Sequence, residues 1–321
     1  MGALLTFGTI FWVGRENVRT GGDDFLALYA GARLVGSGHM YDPAAVRLTQ
    51  LRAAGFTTPS LLYTRPPCFA LFLWPLAQLP YRLAHGLWLG LLLAAAIAFV
   101  ALWPHANRAS TAMVCCWSVP LAAGLANGQD ALLLLLWLAL SERLYRSGKP
   151  ALSGAVLALC VAKFHLFLLL PLVFLIHRRW GVLAGGAAGC GLLAVFCWLA
   201  GGWDWPVRYF RVLSLSQINP ARGLMPNIHG LFPGGPVEWL ATFAVVLATL
   251  LAVSRLQYPL ALAAALTGSL LVSYHAYPQD ALILIPAILI ALENGRSLLL
   301  RYAALALATP VPWLLLLSRQ G

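Results

Sequence analysis

GGDDFLALYAGARLVGSGHMYDPAAVRLTQLRAAGFTTPSLLYTRPP, residues 21–67, is the longest polar interval in this chain. It holds three of the ten acidic residues: Asp23, Asp24 and Asp42. An apolar segment (2–14) precedes it, a proline-rich apolar segment (68–80) follows, and apolar runs recur to the C-terminus. A polar island among such runs reads as a loop projecting from a membrane-embedded protein, with the rest of the chain arranged to hold it.

Composition agrees with that reading. Of 321 residues, 61% are hydrophobic and only 10% charged, and the mean hydropathy is +0.81. Soluble domains carry about a quarter charged residues, and one this apolar would expose large greasy patches. A polytopic, all-α integral membrane protein is therefore expected. The net charge of +11 does not imply nucleic acid as a partner. The positive residues are scattered at segment ends rather than gathered on one soluble face, and there they act as topology signals. Cys115, Cys116, Cys160, Cys190 and Cys197 lie inside apolar segments and read as buried thiols. No Cys/His spacing suits zinc.

Apolar segments at 2–14, 85–103, 110–125, 131–144, 151–162, 164–176, 182–200, 237–253, 259–273, 281–292 and 298–317 predict about eleven helices. Several are short enough to be half-spans. The first is short, which suggests a truncated start or a helix continuing through Arg15. One domain is expected over 1–321, with large extracytoplasmic loops at 15–67 and 201–236. In the first loop, Asp23 or Asp24 caps a helix running to about residue 35, and a second helix starts at Pro43. Both are expected to lie at the membrane interface. If 66–80 does not span, Arg108, Arg143, Arg146, Lys149, Arg178, Arg179, Arg255, Arg296 and Arg301 all fall on the cytoplasmic side. The opposite face then collects the loop acids, residues 127–130, Lys163 with His165, the second loop and the turn at 274–280.

These polar groups are the candidates for chemistry. Asp23 and Asp24 precede an apolar helix face; a carboxylate there serves as a general base or simply as a cap. Lys163, one of two lysines, sits between short apolar segments. It reads as a functional intramembrane cation or a snorkelling one. Arg65 offers a planar fork for phosphate, though a loop arginine is also commonly just solvated. Asn127 and Gln129 flank Gly128 at a helix start, where amides bind sugar hydroxyls or cap. His229 shares the second loop with Arg208, Arg211, Arg222, Asn219 and Asn227. His275 suits sugar or phosphate binding or a proton shuttle, with Asp280 five residues on to orient it.

Asp24-Phe25 with Tyr29, Ala32-Arg33 and Gly38-x-x-Tyr41-Asp42 opens an ordered set of motifs. Tyr63-x-x-Pro66-Pro67-x-Phe69-Ala70-Leu71, Asn127-Gly128-Gln129, Lys163 and Ser273-x-His275 complete it. The set resembles glycosyltransferase family 87, the polyprenol-phosphate-mannose-dependent mannosyltransferases of the GT-C type. The resemblance implies a GT-C helical bundle in the cytoplasmic membrane. It implies inverting transfer of a sugar, mannose by analogy, from a polyprenyl-phosphate donor to a lipid or glycan acceptor on the extracytoplasmic face. It makes Asp24 the general base and puts His275 near the donor phosphate. Asp23, Arg65, Asn127, Gln129, Lys163, His229 and Asp280 are then the substrate-binding candidates. Two departures stand out: Lys163-Phe164 where the family has Lys-Pro, and Tyr63-Thr64-Arg65-Pro66-Pro67 where it has Tyr-Pro-Pro. No cofactor is expected. A metal is not obligatory either, since a lipid phosphate carries a single charge and the first loop has no Asp-x-Asp. The rival reading is a lipid-linked sugar transporter or flippase. It would need polar groups along a path through the bilayer, and transporter folds are often built from internal repeats, of which none is evident.

Overall fold

The computed structural model describes residues 2–58 and 60–318. Among the described residues, regular structure is α-helix and short 3-10 helix only, so the all-α expectation stands. The GT-C-type bundle of about eleven spanning or half-spanning helices does not. Among the described residues, four helices are long and apolar enough to cross a membrane: Tyr81–Leu102, Pro150–Phe167, Trp180–Gly201 and Pro236–Arg255. A fifth crossing exists only if Arg108–Trp117 and Val119–Ala126, bent by 67°, count as one.

Length explains the discrepancy. The Ala131–Arg146 helix has 16 residues, a rise of about 24 Å against a hydrocarbon core of about 30 Å. Tyr258–Val272 and Leu284–Asn294 are shorter still. The apolar stretch 298–317 is cut at Pro310 into Leu298–Ala308 and Val311–Leu317, because proline supplies no N–H to continue a helix. Ala131–Arg146, Tyr258–Val272 and Leu284–Asn294 bury most of their residues against protein, which a hydropathy pattern does not distinguish from burial in lipid, whereas Leu298–Ala308 and Val311–Leu317 are short and largely exposed.

The first-loop helix is also placed differently from expectation. Phe25–Arg33 is a buried helix, with every residue from Phe25 to Ala32 enclosed. Phe25 stacks on Trp88 at 5.4 Å between ring centroids and on Tyr81 at 6.1 Å. Pro43–Ala54 does lie at the surface, with Asp42 accepting from the Ala44 N–H at 2.9 Å and Leu48 and Leu51 exposed.

Two polar clusters mark opposite ends of the bundle. At one end Asp23 meets His85 in the first turns of Tyr81–Leu102. At the other, just past Leu102, His105 Nε2 pairs with Glu142 at 2.8 Å and Arg146 reaches the Pro104 carbonyl at 2.5 Å. Tyr258 donates to Glu142, and the Arg179 guanidinium lies 3.3 Å from the Tyr258 ring centre. The basic turns near residues 105, 146, 179 and 258 thus gather at one end. The 22-residue helix between the clusters spans about 33 Å, a membrane thickness.

The closest helix contact joins Pro150–Leu157 to Trp180–Gly201. A Cβ on Gly185 would fall 1.9 Å from the Ala151 carbonyl oxygen, and one on Gly154 would fall 2.0 Å from that of Val182. Small residues allow such approach, and packing is a main source of cohesion between helices in lipid. Because the obstructing atoms are backbone, no rotamer change relieves the clash. Gly185→Ala is expected to destabilise by at least the ~1–3 kcal/mol of core overpacking, and Gly185→Leu by more, read as a lowered melting temperature in detergent.

Candidate active site

The polar end of the bundle contains a cavity of about 230 Å³. Asp24, Arg65, Gln129, Lys163 and His275 line it, with Ser60, Thr64, Tyr277 and Gln279. Residues from the start, middle and end of the chain therefore share one wall.

The adjacent acids of the first loop have separate tasks. Asp23 is buried; its Oδ1 accepts from the Phe25 N–H at 3.0 Å and its Oδ2 sits 2.8 Å from His85 Nε2. Gly128, at φ +60°, lets the chain pass over that carboxylate, since a Cβ there would lie 2.9 Å from Asp23 Oδ2. Asp24 occupies the N-cap position yet makes no capping bond, and its carboxylate faces the cavity. Its backbone N–H is held by the Asn127 carbonyl at 3.2 Å. Burial pushes the Asp24 carboxyl up to about 7, with Lys163 opposing the shift and Asp23 adding to it.

Behind the cavity two cations and two acids alternate. Arg65 holds Asp130 with both arms of its fork, at 2.5 and 3.0 Å. Lys163 Nζ lies 3.1 Å from Asp130, 2.5 Å from Asp280 and 2.7 Å from Gln129 Oε1. All four charged side chains are buried. Burial raises the Asp130 carboxyl, but Arg65 and Lys163 outweigh it and hold the group well below the usual carboxylate range. Asp280 follows the same pattern, with Lys163 the main offset. The backbone at Lys163 leaves the helical region, at φ −131° and ψ 58°, and this break puts the ammonium in reach of both acids. Asp280 Oδ2 also accepts from the Tyr277 N–H at 3.0 Å.

His275 is oriented by Asn219, whose Oδ1 lies 2.6 Å from His275 Nδ1, and not by Asp280. The second loop is tied to this turn twice more. Asn227 donates to the Ser273 carbonyl at 2.8 Å, and Tyr277 accepts from the Ala221 N–H at 3.3 Å. Burial drives the His275 imidazole down to about 4, with Asp280 opposing, so it is neutral at pH 7.

Residues 63–278, more than half of the chain, match glycosyltransferase family 87. The chain belongs to glycosyltransferase family 87. It is accordingly a membrane-spanning glycosyltransferase. No curated protein and no solved structure matches it. The matched stretch holds Arg65, Gln129, Lys163 and His275, while Asp23 and Asp24 precede it.

Of the residues singled out in the sequence, Asp24, Arg65, Gln129, Lys163 and His275 line the family 87 cavity. Asp280 touches it through Lys163. Asp23 faces His85, Asn127 contributes its carbonyl, and His229 pairs with Glu238 at 2.8 Å outside the lining. Sequence reasoning missed Asp130 as the acid shared by both cations and Asn219 as the holder of His275. Each carries a weak signal, an ionisable or amide group next to a stronger candidate. Asn219→Ala is expected to free the His275 ring and, if His275 takes part in transfer, to lower kcat/KM on the order of 10²-fold, the scale of a misplaced reacting group. The readout is steady-state kinetics with unchanged melting.

Proposed function

We propose that this family 87 enzyme transfers a sugar, mannose by family resemblance, from a polyprenyl-phosphate donor to the hydroxyl of a lipid or glycan acceptor. The reaction is an inverting displacement on the extracytoplasmic face of the membrane. The observation that carries the reading is Asp24: the one carboxylate among the described cavity-lining residues, and one without a capping bond.

In the step proposed, the acceptor oxygen attacks the anomeric carbon and its proton passes to Asp24. The bond from that carbon to the phosphate oxygen breaks, and polyprenyl phosphate departs with the electron pair. A carboxyl with an affinity near 7 is matched to this task, strong enough as a base and largely ionised just above neutrality. Inversion needs one carboxylate; retention needs a second as nucleophile, and Asp130 and Asp280 are committed to cations. His275, neutral and held by Asn219 through its Nδ1–H, keeps only the Nε2 lone pair, so a contact with the departing phosphate would require it to take up a proton at Nε2. The ion-paired Arg65 and Lys163 hold that wall. A prenyl tail finds a match in an apolar groove of about 440 Å³ lined by Phe164, Phe167, Leu168, Val182 and Leu183. Phe164 of that groove follows Lys163 of the cavity directly in sequence.

The test is transfer of labelled mannose from polyprenyl-phosphate-mannose by purified protein in nanodiscs with a membrane lipid extract. Asp24→Asn is expected to abolish transfer while leaving donor binding and melting unchanged; normal transfer by that variant refutes the base assignment. Because the base acts deprotonated, kcat/KM is expected to rise with pH through about 7 and level off above it. A profile flat between pH 5 and pH 9 would contradict the role given to Asp24.

A further inference from the structure

Phe164 and Phe167 line the apolar groove, Lys163 lines the polar cavity, and His165 lies between them in sequence. It is 6% exposed, and neither ring nitrogen has a hydrogen-bond partner among the described residues. Its ring packs 5.2 Å from Tyr274 and stands edge-on to His275, with centroids 6.0 Å apart. A neutral imidazole carries one N–H donor and one lone pair, and here neither is used. If the position only needed an aromatic filler, phenylalanine would serve without the penalty of a buried unpaired polar group.

On the reading given under Proposed function, the donor has a polar sugar, a prenyl tail and a phosphate joining them. A sugar in the cavity and a tail in the groove put the phosphate at the boundary, beside residues 163–165. In an inverting displacement the phosphate lies across the anomeric carbon from the base. His165 abuts His275 and Tyr274, and His275 lines the cavity, so the imidazole stands one ring behind the cavity wall. We propose that His165 is a phosphate contact for the donor: its ring N–H donates to a non-bridging oxygen.

The two explanations of His165 predict opposite pairs of results. His165→Phe removes the unpaired nitrogens, so the ligand-free variant melts at or above the wild-type temperature. Its affinity for undecaprenyl phosphate, measured by titration in nanodiscs, is expected to fall about 10- to 100-fold, the scale of one hydrogen bond to a charged group. His165→Gln, which keeps an N–H donor, retains most of the affinity. Should His165→Phe not fold, His165→Met takes its place and is read the same way.

Wild-type affinity in the apolar variant overturns the inference, as does an equal loss in the Gln and apolar variants. A parallel titration with inorganic phosphate separates the sources. Binding of free phosphate lost in His165→Phe, with undecaprenyl phosphate binding unaffected, overturns the assignment to the lipid donor. Failure of wild-type protein to bind undecaprenyl phosphate at all defeats the donor reading itself. Normal binding by both wild type and His165→Phe defeats only the role given to His165.

Discussion

Arg65, Asp130, Lys163 and Asp280 form an unbroken alternation of positive and negative groups out of contact with bulk water. Their net charge is zero, which lets them reside where an isolated ion would not. Desolvation offsets much of the attraction in such a cluster, so its contribution to stability is modest. Removing one member is another matter, because a buried charge is then left without a partner, at a cost of about 3–5 kcal/mol. The four groups come from four separate segments. The cluster therefore fixes the first loop, the break at Lys163, the start of Ala131–Arg146 and the late turn relative to one another.

Placement of the site follows from that constraint. Thr64 and Arg65 lie on the cavity wall because Arg65 is anchored on Asp130. Tyr41 and Tyr63 brace the same strip of chain through the carbonyls of Arg65 and Pro66. On the far side, Asp280 receives Lys163 with one oxygen and caps its own turn with the other, which positions Tyr277 and His275. Asp24 stands apart from these ion pairs. A carboxylate sequestered in a salt bridge holds a proton weakly, whereas Asp24, half-buried and outside these pairs, has its carboxyl pushed up to about 7.

How much of this was legible in the sequence depended on contrast. Lys163, His275 and the first-loop acids interrupt long apolar runs, and an ionisable group there must be accommodated; their convergence could be read from the pattern. The helix count could not. The first three turns of Ala131–Arg146 and all of Tyr258–Val272 are apolar, but they are largely wrapped by protein, and hydropathy reports only that water is excluded. The division of labour between Asp23 and Asp24 was equally hidden. The two residues are chemically identical neighbours, and only the backbone turn at Gly21–Phe25 decides which one meets His85. Asn219 lies 56 positions from the imidazole it holds, beyond any local spacing rule.

The order in which the cluster's members leave the ribosome has a bearing on biogenesis. Arg65 and Asp130 are made early and can satisfy each other at once. Lys163 follows and gains a share of Asp130, but its closest acid, Asp280, is among the last residues produced. Until Asp280 is in place, the nascent polypeptide carries an ammonium with only one of its two acids. The charge balance thus closes only with Asp280, the last of the four to be made, and a polypeptide ending before it would carry one unmatched positive group.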